Sequence, residues 1–364
     1  MKIGIISVPH LETHPIKDDY GGIELFTGGL SYELDRMGHE VHLFASKHSY
    51  EPPHGELHAT LEPSDFSIPH HMYAPLAFQK YMEDDRHHEA LAGVDILNDH
   101  CLNHPGKVLK MFGIRDTYML TDHCHIPDDN LTYVPLCRTG VSKSHAEWCH
   151  KIAGTNWKYI YNAMMVRKDM LNLKPREGRL LFFSRMSYSK GPDIAIKIAE
   201  AAKMPIDIVG GDRQPSYQWT KHMVQDMCSK SQYAHYVGEV DNKTKVEYFR
   251  NAAAVILPVR TSYHDPELDR DLYWQEPGCM IPIEANACGT PIIAYPQGSL
   301  EEYIVEGKTG YFAKTIEEFV AKIPLALELD PQHMHKYAAE GFSMERAAKD
   351  YVAMYKRIID GEEW

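Results

Sequence analysis

Short apolar runs alternate with amphipathic stretches along most of the chain. Lys2–Val8 is apolar and rich in β-branched residues, which predicts a first strand. A loop over Pro9–Tyr20 and the pair Gly21-Gly22 follow. Ile23, Phe26, Leu30, Leu34 and Met37 then recur at spacings of 3, 4, 4 and 3, the period of an amphipathic helix. Gly38 sits where a helix C-cap belongs, and Glu40–Ala45 predicts the next strand. The chain therefore opens with a βαβ unit.

Further strand signals lie at Asp95–Asn98, Tyr118–Thr121, Thr139–Ser142 and Lys158–Tyr161, with polar or helical segments between them. Alternation of this kind predicts a parallel sheet. The chain turns polar between Met165 and Gly178, and a domain boundary is expected there. A second alternation begins at Leu180–Phe183. Lys190-Gly191-Pro192 opens a helix through Ala202, and strand signals follow at Ile206–Val209, Ala234–Val237, Ala253–Pro258 and Pro291–Ala294. A helix is expected over Lys243–Ala252 and another over Glu345–Ile359. The expected fold class is α/β, with two doubly wound Rossmann-like domains, residues 1–168 and 169–344, facing a cleft at the carboxyl ends of their strands.

Composition narrows the function classes. At 364 residues, 44% hydrophobic and 24% charged, the chain is neither disordered nor collagen-like nor a coiled coil. No run of 18 apolar residues predicts a membrane span, and Met1–Glu12 reads as a strand rather than a signal peptide, so a cytoplasmic protein is expected. The net charge is −13 and both halves are acidic, which argues against a nucleic-acid partner. Seven cysteines without a C-x-x-C pattern suggest reduced thiols.

Three local patterns carry chemistry. In Gln275–Ile293, Glu276 and Glu284 stand eight apart, one in a loop and one on a short helix that begins near Met280. Carboxylates accept sugar hydroxyls, and a helix start offers N–H groups to phosphate. Capped, solvated surface glutamates are the plain alternative. Arg185 and Lys190 follow the strand 180–183, where a bidentate fork and a point charge suit a diphosphate. Ordinary surface cations would look the same. Gly21-Gly22-Ile23-Glu24 opens the first helix but lacks G-x-G-x-x-G, so a dinucleotide fingerprint is absent.

Taken in order, these patterns resemble family 4 retaining glycosyltransferases of the GT-B fold. Met1–Ala45, with its GGIE and GHEV segments, resembles the family's start. Thr121-Asp122-His123 is similar to T-x-H, Val141-Ser142-Lys143 to V-S-K, and Tyr161-Asn162-Ala163 to P-N-G with two departures. Phe183-Ser184-Arg185 and Lys190-Gly191 resemble G-R…K-G. Tyr236–Val240, Leu257-Pro258, Glu276…Glu284-Ala285, Cys288–Pro291, Gly298…Glu302 and Gly307–Gly310 also match.

The resemblance implies that Arg185 and Lys190 hold the donor diphosphate, Glu284 the ribose and Glu276 the donor-sugar hydroxyls. It implies Glu239 and Val240 near the base, Gly22 on the phosphate or acceptor side, and His123 by the reacting sugar. Backbone groups of Cys279 and Met280 would meet sugar and phosphate. It also implies that the final helix, within 345–364, returns to the first, acceptor-side domain, and that residues 169–344 bind the nucleotide sugar. The family reads E-P-F-G-L where this chain has Glu276-Pro277-Gly278-Cys279-Met280, which bears on sugar pose and donor preference. Arg260–Trp274 is longer than usual and suggests a lid or an oligomer contact.

The implied reaction moves a sugar, with retention, from a UDP- or GDP-sugar to an acceptor hydroxyl on a sugar, a lipid-linked glycan or a small molecule, with no cofactor. A GT-B phosphorylase, a nucleotide-sugar epimerase and a non-catalytic nucleotide-sugar binder are the rivals. A homo-oligomer and a weak peripheral membrane contact remain open. Glu306-Gly307-Lys308-Thr309 evokes a P-loop, but position 302 is Glu302 instead of the first glycine. His100 and His104, with Asp99, His123 and His125, invite a metal; polar loop histidines are the favoured reading, and no metal site is expected. His70-His71, His87-His88 and Glu83-Asp84-Asp85 read as solvated, and the aromatics from Tyr73 to Tyr81, around Phe78, as core.

Overall fold

The computed structural model describes the chain except residues 17–20, 64–75, 77–78, 80–84, 102–115, 124–136, 175–177, 212–216 and 267–268, and describes the backbone alone at 85–88. His70-His71, the aromatics Tyr73 to Tyr81 with Phe78, Glu83-Asp84, His104, Cys124 and His125 lie outside the described residues, as do the side chains of Asp85, His87 and His88.

The described chain divides into two compact units. One comprises residues 1–16, Gly21–Met165 and Ser343–Trp364; the other comprises Val166–Phe342. The first unit holds a parallel sheet of β1 (Lys2–Ile6), β2 (Glu40–Ala45), β3 (Glu56–Ala59), β4 (Ile96–Asp99), β5 (Tyr118–Thr121), β6 (Cys137–Gly140) and β7 (Lys158–Tyr159). Their order is β3-β2-β1-β4-β5-β6-β7, so the winding reverses between β1 and β4. A parallel sheet buries both faces, which is why β1 is apolar and buried from Ile3 to Ile6, after the exposed Lys2 at its start. Ile3 and Ile5 pack with Leu30 and Leu34 of α1 (Gly22–Arg36), while Ile6 joins Phe44, Leu97 and Tyr118 on the other face.

The second unit repeats the pattern with β8 (Leu180–Phe183), β9 (Ile206–Val209), β10 (Ala234–Gly238), β11 (Ala254–Leu257), β14 (Ile292–Ala294) and β15 (Gly310–Phe312). Their order is β10-β9-β8-β11-β14-β15, all parallel, with the reversal between β8 and β11. The expected α/β class with two Rossmann-like sheets is what the structure shows.

Several elements differ from the sequence reading. The strand expected over Thr139–Ser142 starts at Cys137 and stops at Gly140. Ser142 instead caps helix 143–153, its hydroxyl accepting from the His145 N–H at 3.0 Å. The segment Arg260–Trp274 contains an antiparallel hairpin, β12 (Ser262–Asp265) with β13 (Arg270–Tyr273). Strands β3 and β15 lacked a sequence signal because neither is an apolar run: β3 reads ELHA and is only partly buried, and β15 is the three residues GYF.

The C-terminal helix, Met344–Ile359, packs within the first unit. Its apolar face carries Tyr351 and Tyr355, both fully buried in the core of that unit. Asn98 Nδ2 donates to the Tyr355 hydroxyl at 2.8 Å, so the helix is tied to β4 by a polar bond inside an apolar contact.

Candidate functional site

The loop after β8 carries Arg185 and ends in a 3-10 turn, Tyr188–Lys190. Gly191 follows with φ 74°, and a Cβ there would lie 2.2 Å from the carbonyl oxygen of Pro258 at the end of β11. Only glycine allows that approach, and it places Lys190 beside the point where the winding reverses. Arg260 secures the same turn from the other side. Its guanidinium reaches both oxygens of Asp193 at 2.7 and 2.8 Å, donates to the Tyr188 carbonyl at 2.5 Å, and stacks 3.9 Å from the centre of the Tyr188 ring.

Lys190 Nζ forms an ion pair with Glu276 Oε2, and both side chains are buried. Trp274 Nε1 donates to the same oxygen at 3.2 Å, and Lys190 Nζ stands 5.0 Å from the centre of the Trp274 indole. The Glu276 backbone is held as well: its N–H donates to Gln297 Oε1 at 3.0 Å, and its carbonyl accepts from the Ser299 N–H at 2.9 Å. Between them Gly298, at φ 54°, leaves no room for a Cβ, which would meet the Glu276 carbonyl oxygen at 2.5 Å.

Burial alone would raise the Glu276 carboxyl pKa; the charge and hydrogen bond of Lys190, the Trp274 N–H and the charge of Arg185 outweigh it and hold the pKa below the ordinary carboxylate value. The Arg185 guanidinium, which hydrogen-bonds the Tyr217 hydroxyl at 3.2 Å, thus acts electrostatically on the same carboxylate. The Cys279 thiol is pushed up by burial, and it senses Glu276, Lys190 and Glu284 together. Arg185, Lys190, Glu276, Cys279 and Glu284 therefore share one neighbourhood in the second unit.

Glu284 lies in the first turn of the helix Ile281–Ala287, which starts at Met280. Lys245 Nζ, from the helix Asn242–Asn251, donates to Glu284 Oε1 at 2.6 Å. The Cys279 N–H donates to Ser299 Oγ at 3.1 Å, so this amide is engaged within the unit. Glu239 and Val240 follow β10 and are half-buried.

Gly22 and His123 belong to the first unit. Gly22 is the first residue of α1 and is exposed; among the described residues nothing lies within 4 Å of where its Cβ would stand. His123 follows β5, buried, with its Nε2 2.9 Å from His100 Nδ1 and the edge of the Phe26 ring against it, 5.1 Å between centroids. His100 follows strand β4 directly and is buried, with the rings of Phe26, His123 and Tyr351 around it.

The sequence reading missed Trp274, Gln297, Ser299, Lys245 and Arg260. Trp274 and Arg260 sit at the two ends of the overlong segment, and that length was the only available signal. The side chains of Lys190 and Glu276, expected from the sequence to meet a diphosphate and a sugar, are bound to each other in this structure.

Residues 167–343 match the family model of glycosyl transferases group 1. An uncharacterised 41.2 kDa protein of the cps region of Klebsiella pneumoniae is 26% identical over 206 residues, 54% of this chain and 49% of that protein. A D-inositol 3-phosphate glycosyltransferase of Mycobacterium sp. (strain KMS) is 27% identical over 199 residues, 52% of this chain and 42% of that enzyme. The matched stretch thus spans half or less of these relatives' own length. Among solved structures, AviGT4, a glycosyltransferase involved in avilamycin A biosynthesis, superposes with a TM-score of 0.70 at 19% identity, covering 100% of this chain and 99% of that one. HepE of Anabaena in complex with UDP-glucose superposes with a TM-score of 0.67 at 15% identity, covering 98% and 99%. The fold is that of the GT-B glycosyltransferases.

Proposed function

We propose that this chain is a nucleotide-sugar-dependent glycosyltransferase, a retaining member of family 4, that transfers a hexose from a UDP- or GDP-sugar to an acceptor hydroxyl. The observation that carries this reading is the buried Lys190–Glu276 pair with Arg185 acting on it, at the carboxyl edge of the sheet where the winding reverses. A diphosphate arriving there competes for Lys190 and Arg185, and a sugar hydroxyl competes for Glu276. Lys190 and Glu276 are already desolvated and oriented, and the exchange trades their mutual bond for bonds to the ligand.

In the proposed step the bond from the anomeric carbon to the diphosphate oxygen breaks, and the acceptor oxygen bonds to that carbon on the same face. The acceptor proton passes to a phosphate oxygen of the leaving nucleotide. Arg185 and Lys190 stabilise the charge that develops on the diphosphate, so the step needs no metal. Glu284, held by Lys245, takes the ribose, and Glu239 and Val240 flank the base. Met280 and Cys279 line the sugar and phosphate, the Cys279 N–H by exchanging Ser299 for the ligand. The roles of Gly22 at the phosphate and His123 at the reacting sugar belong to the same proposal and rest on the sequence motifs. UDP as the nucleotide is favoured by the UDP-glucose bound in HepE.

The test is a melting-temperature screen of the full chain against UDP- and GDP-sugars, repeated with Arg185→Ala. A saturating donor at about a hundred times its dissociation constant adds ~2.7 kcal/mol to stability. The proposal requires one donor class to raise the melting temperature of the wild type and Arg185→Ala to lose most of that rise. No response to any nucleotide sugar would overturn it.

A further inference from the structure

Alternation along β2 puts Glu40, His42 and Phe44 on one face of the sheet. The register with β3 sets His42 opposite Glu56 and Phe44 opposite His58, so Glu56 and His58 join that face. His42 Nδ1 lies 2.8 Å from His58 Nε2, and the two rings meet edge to edge, nearly parallel at 11°, with centroids 5.1 Å apart. Glu56 Oε2 lies 3.9 Å from His58 Nε2. One ligand atom from each of the three side chains lies within 4.8 Å of the others.

We propose that His42 Nδ1, His58 Nε2 and the Glu56 carboxylate form a site for a divalent transition-metal ion of the zinc class, separate from the residues assigned to sugar transfer. Two imidazoles and one carboxylate suit Zn2+, Ni2+ or Cu2+ rather than the hard ions Mg2+ and Ca2+. The arrangement is oriented beyond the three ligands themselves. Glu40 Oε1 sits 3.1 Å from His42 Nε2, and Lys2 Nζ holds Glu40 at 3.1 Å. With Nε2–H directed at a carboxylate, His42 presents the Nδ1 lone pair to His58, the arrangement that fixes the tautomer of metal-bound histidines. Phe44 stacks on the His58 ring at 4.7 Å and 16°, so that ring is held too.

Two nitrogens each about 2.05 Å from a metal stand ~2.9 Å apart at a right angle and ~3.3 Å apart in a tetrahedron. In this structure the 2.8 Å nitrogen pair lies on the line between the ring centres, 5.1 Å apart, so admitting an ion requires both rings to turn off that line as well as the pair to open. The ion takes the place of the hydrogen shared by the two rings, and His58 ligates as the neutral imidazole with its proton on Nδ1. His58 is 4% and His42 13% exposed, whereas Glu56 is 64% exposed, so the carboxylate marks the side of entry. Because β3 is the edge strand, the ion would staple that edge to β2.

The experiment titrates the chelator-stripped full-length protein with ZnCl2 by calorimetry, and with Co2+ by visible absorption. One equivalent is expected to bind saturably, and His42→Gln and His58→Gln should each weaken it at least about tenfold. Glu56→Ala should weaken it several-fold and change the Co2+ spectrum, and His333→Gln, on the second unit, should change nothing. Should His58→Gln fail to fold, the exposed Glu56 variant and His42→Gln decide the matter. Absence of saturable binding below about 1 mM, far weaker than zinc sites that contribute to folding, would overturn the proposal. So would one-equivalent binding that survives His42→Gln unchanged; the two rings then merely share a hydrogen bond.

Discussion

Lys190 and Glu276, 86 residues apart in sequence, meet as a buried ion pair with both side chains less than a tenth exposed. Removing one partner of such a pair strands the other charge in a desolvated place, at a cost of about 3–5 kcal/mol. Lys190→Met and Glu276→Gln are each expected to lower stability strongly. The double variant should recover much of the loss, because neither charge is then left alone. Denaturant titration of the four proteins reads the coupling directly, and additive effects would show that the pair is not coupled.

Acid should find the same weak point. The Glu276 carboxyl is held below its ordinary value of 4.5 in the folded protein. A depressed carboxylate contributes stability that is present above the unfolded-state pKa and is lost as pH falls through the lower folded value. The wild type should therefore lose stability below about pH 4.5, while Glu276→Gln, already lacking the charge, should show a shallower decline over that window. Melting temperatures taken between pH 6 and about pH 3 test the sign, and parallel curves would remove Glu276 from the acid response.

Trp274 should act on activity through Glu276. Its indole N–H accounts for one of the hydrogen bonds that hold the carboxylate. Trp274→Phe keeps a ring near Lys190 and deletes the N–H, a bond to a charged group worth about 1.5–3 kcal/mol. Under the proposed function, the KM for the sugar donor is expected to rise about tenfold with a smaller change in kcat, because the lost contact would position the carboxylate proposed to bind the sugar. Steady-state kinetics separate the two constants, and an unchanged KM would leave Trp274 with packing alone.

Gly191→Ala should fail for a backbone reason. A non-glycine residue at φ 74° is strained, and the added Cβ would collide with the Pro258 carbonyl at 2.2 Å. Strain of this kind costs about 1–3 kcal/mol before any clash is counted. A fall in melting temperature together with weaker donor binding is expected, since Lys190 is the neighbouring residue. Gly361→Ala, also at positive φ but with nothing within 4 Å among the described residues, should cost less in the same melt.

The fold was legible where each strand is a contiguous apolar run. Leu180–Phe183 and Ala254–Leu257 read directly because both faces of a parallel strand are buried, and α1 read from its 3.6 period. Ser142 misled for the opposite reason: a hydroxyl flanking a strand can also cap the next helix, and only the His145 N–H decides between them. The candidate site was legible as residue types beyond the strand ends, namely Arg185 and Lys190 after β8, Glu276 in a loop and Glu284 in the first turn of a short helix. Trp274 and Lys245 were not, because neither stands in a motif and each is defined by the carboxylate it touches.

From the chain alone come the alternation that makes two parallel sheets, the turn glycines that bring loops close, and the cations and acids available at the carboxyl edge. These are local properties, set by side-chain period, backbone freedom and charge. Which acid meets which cation, and which two imidazoles face each other across β2 and β3, depends on strand order and register. Those follow from burying both faces of each sheet at once, a condition that no single segment contains.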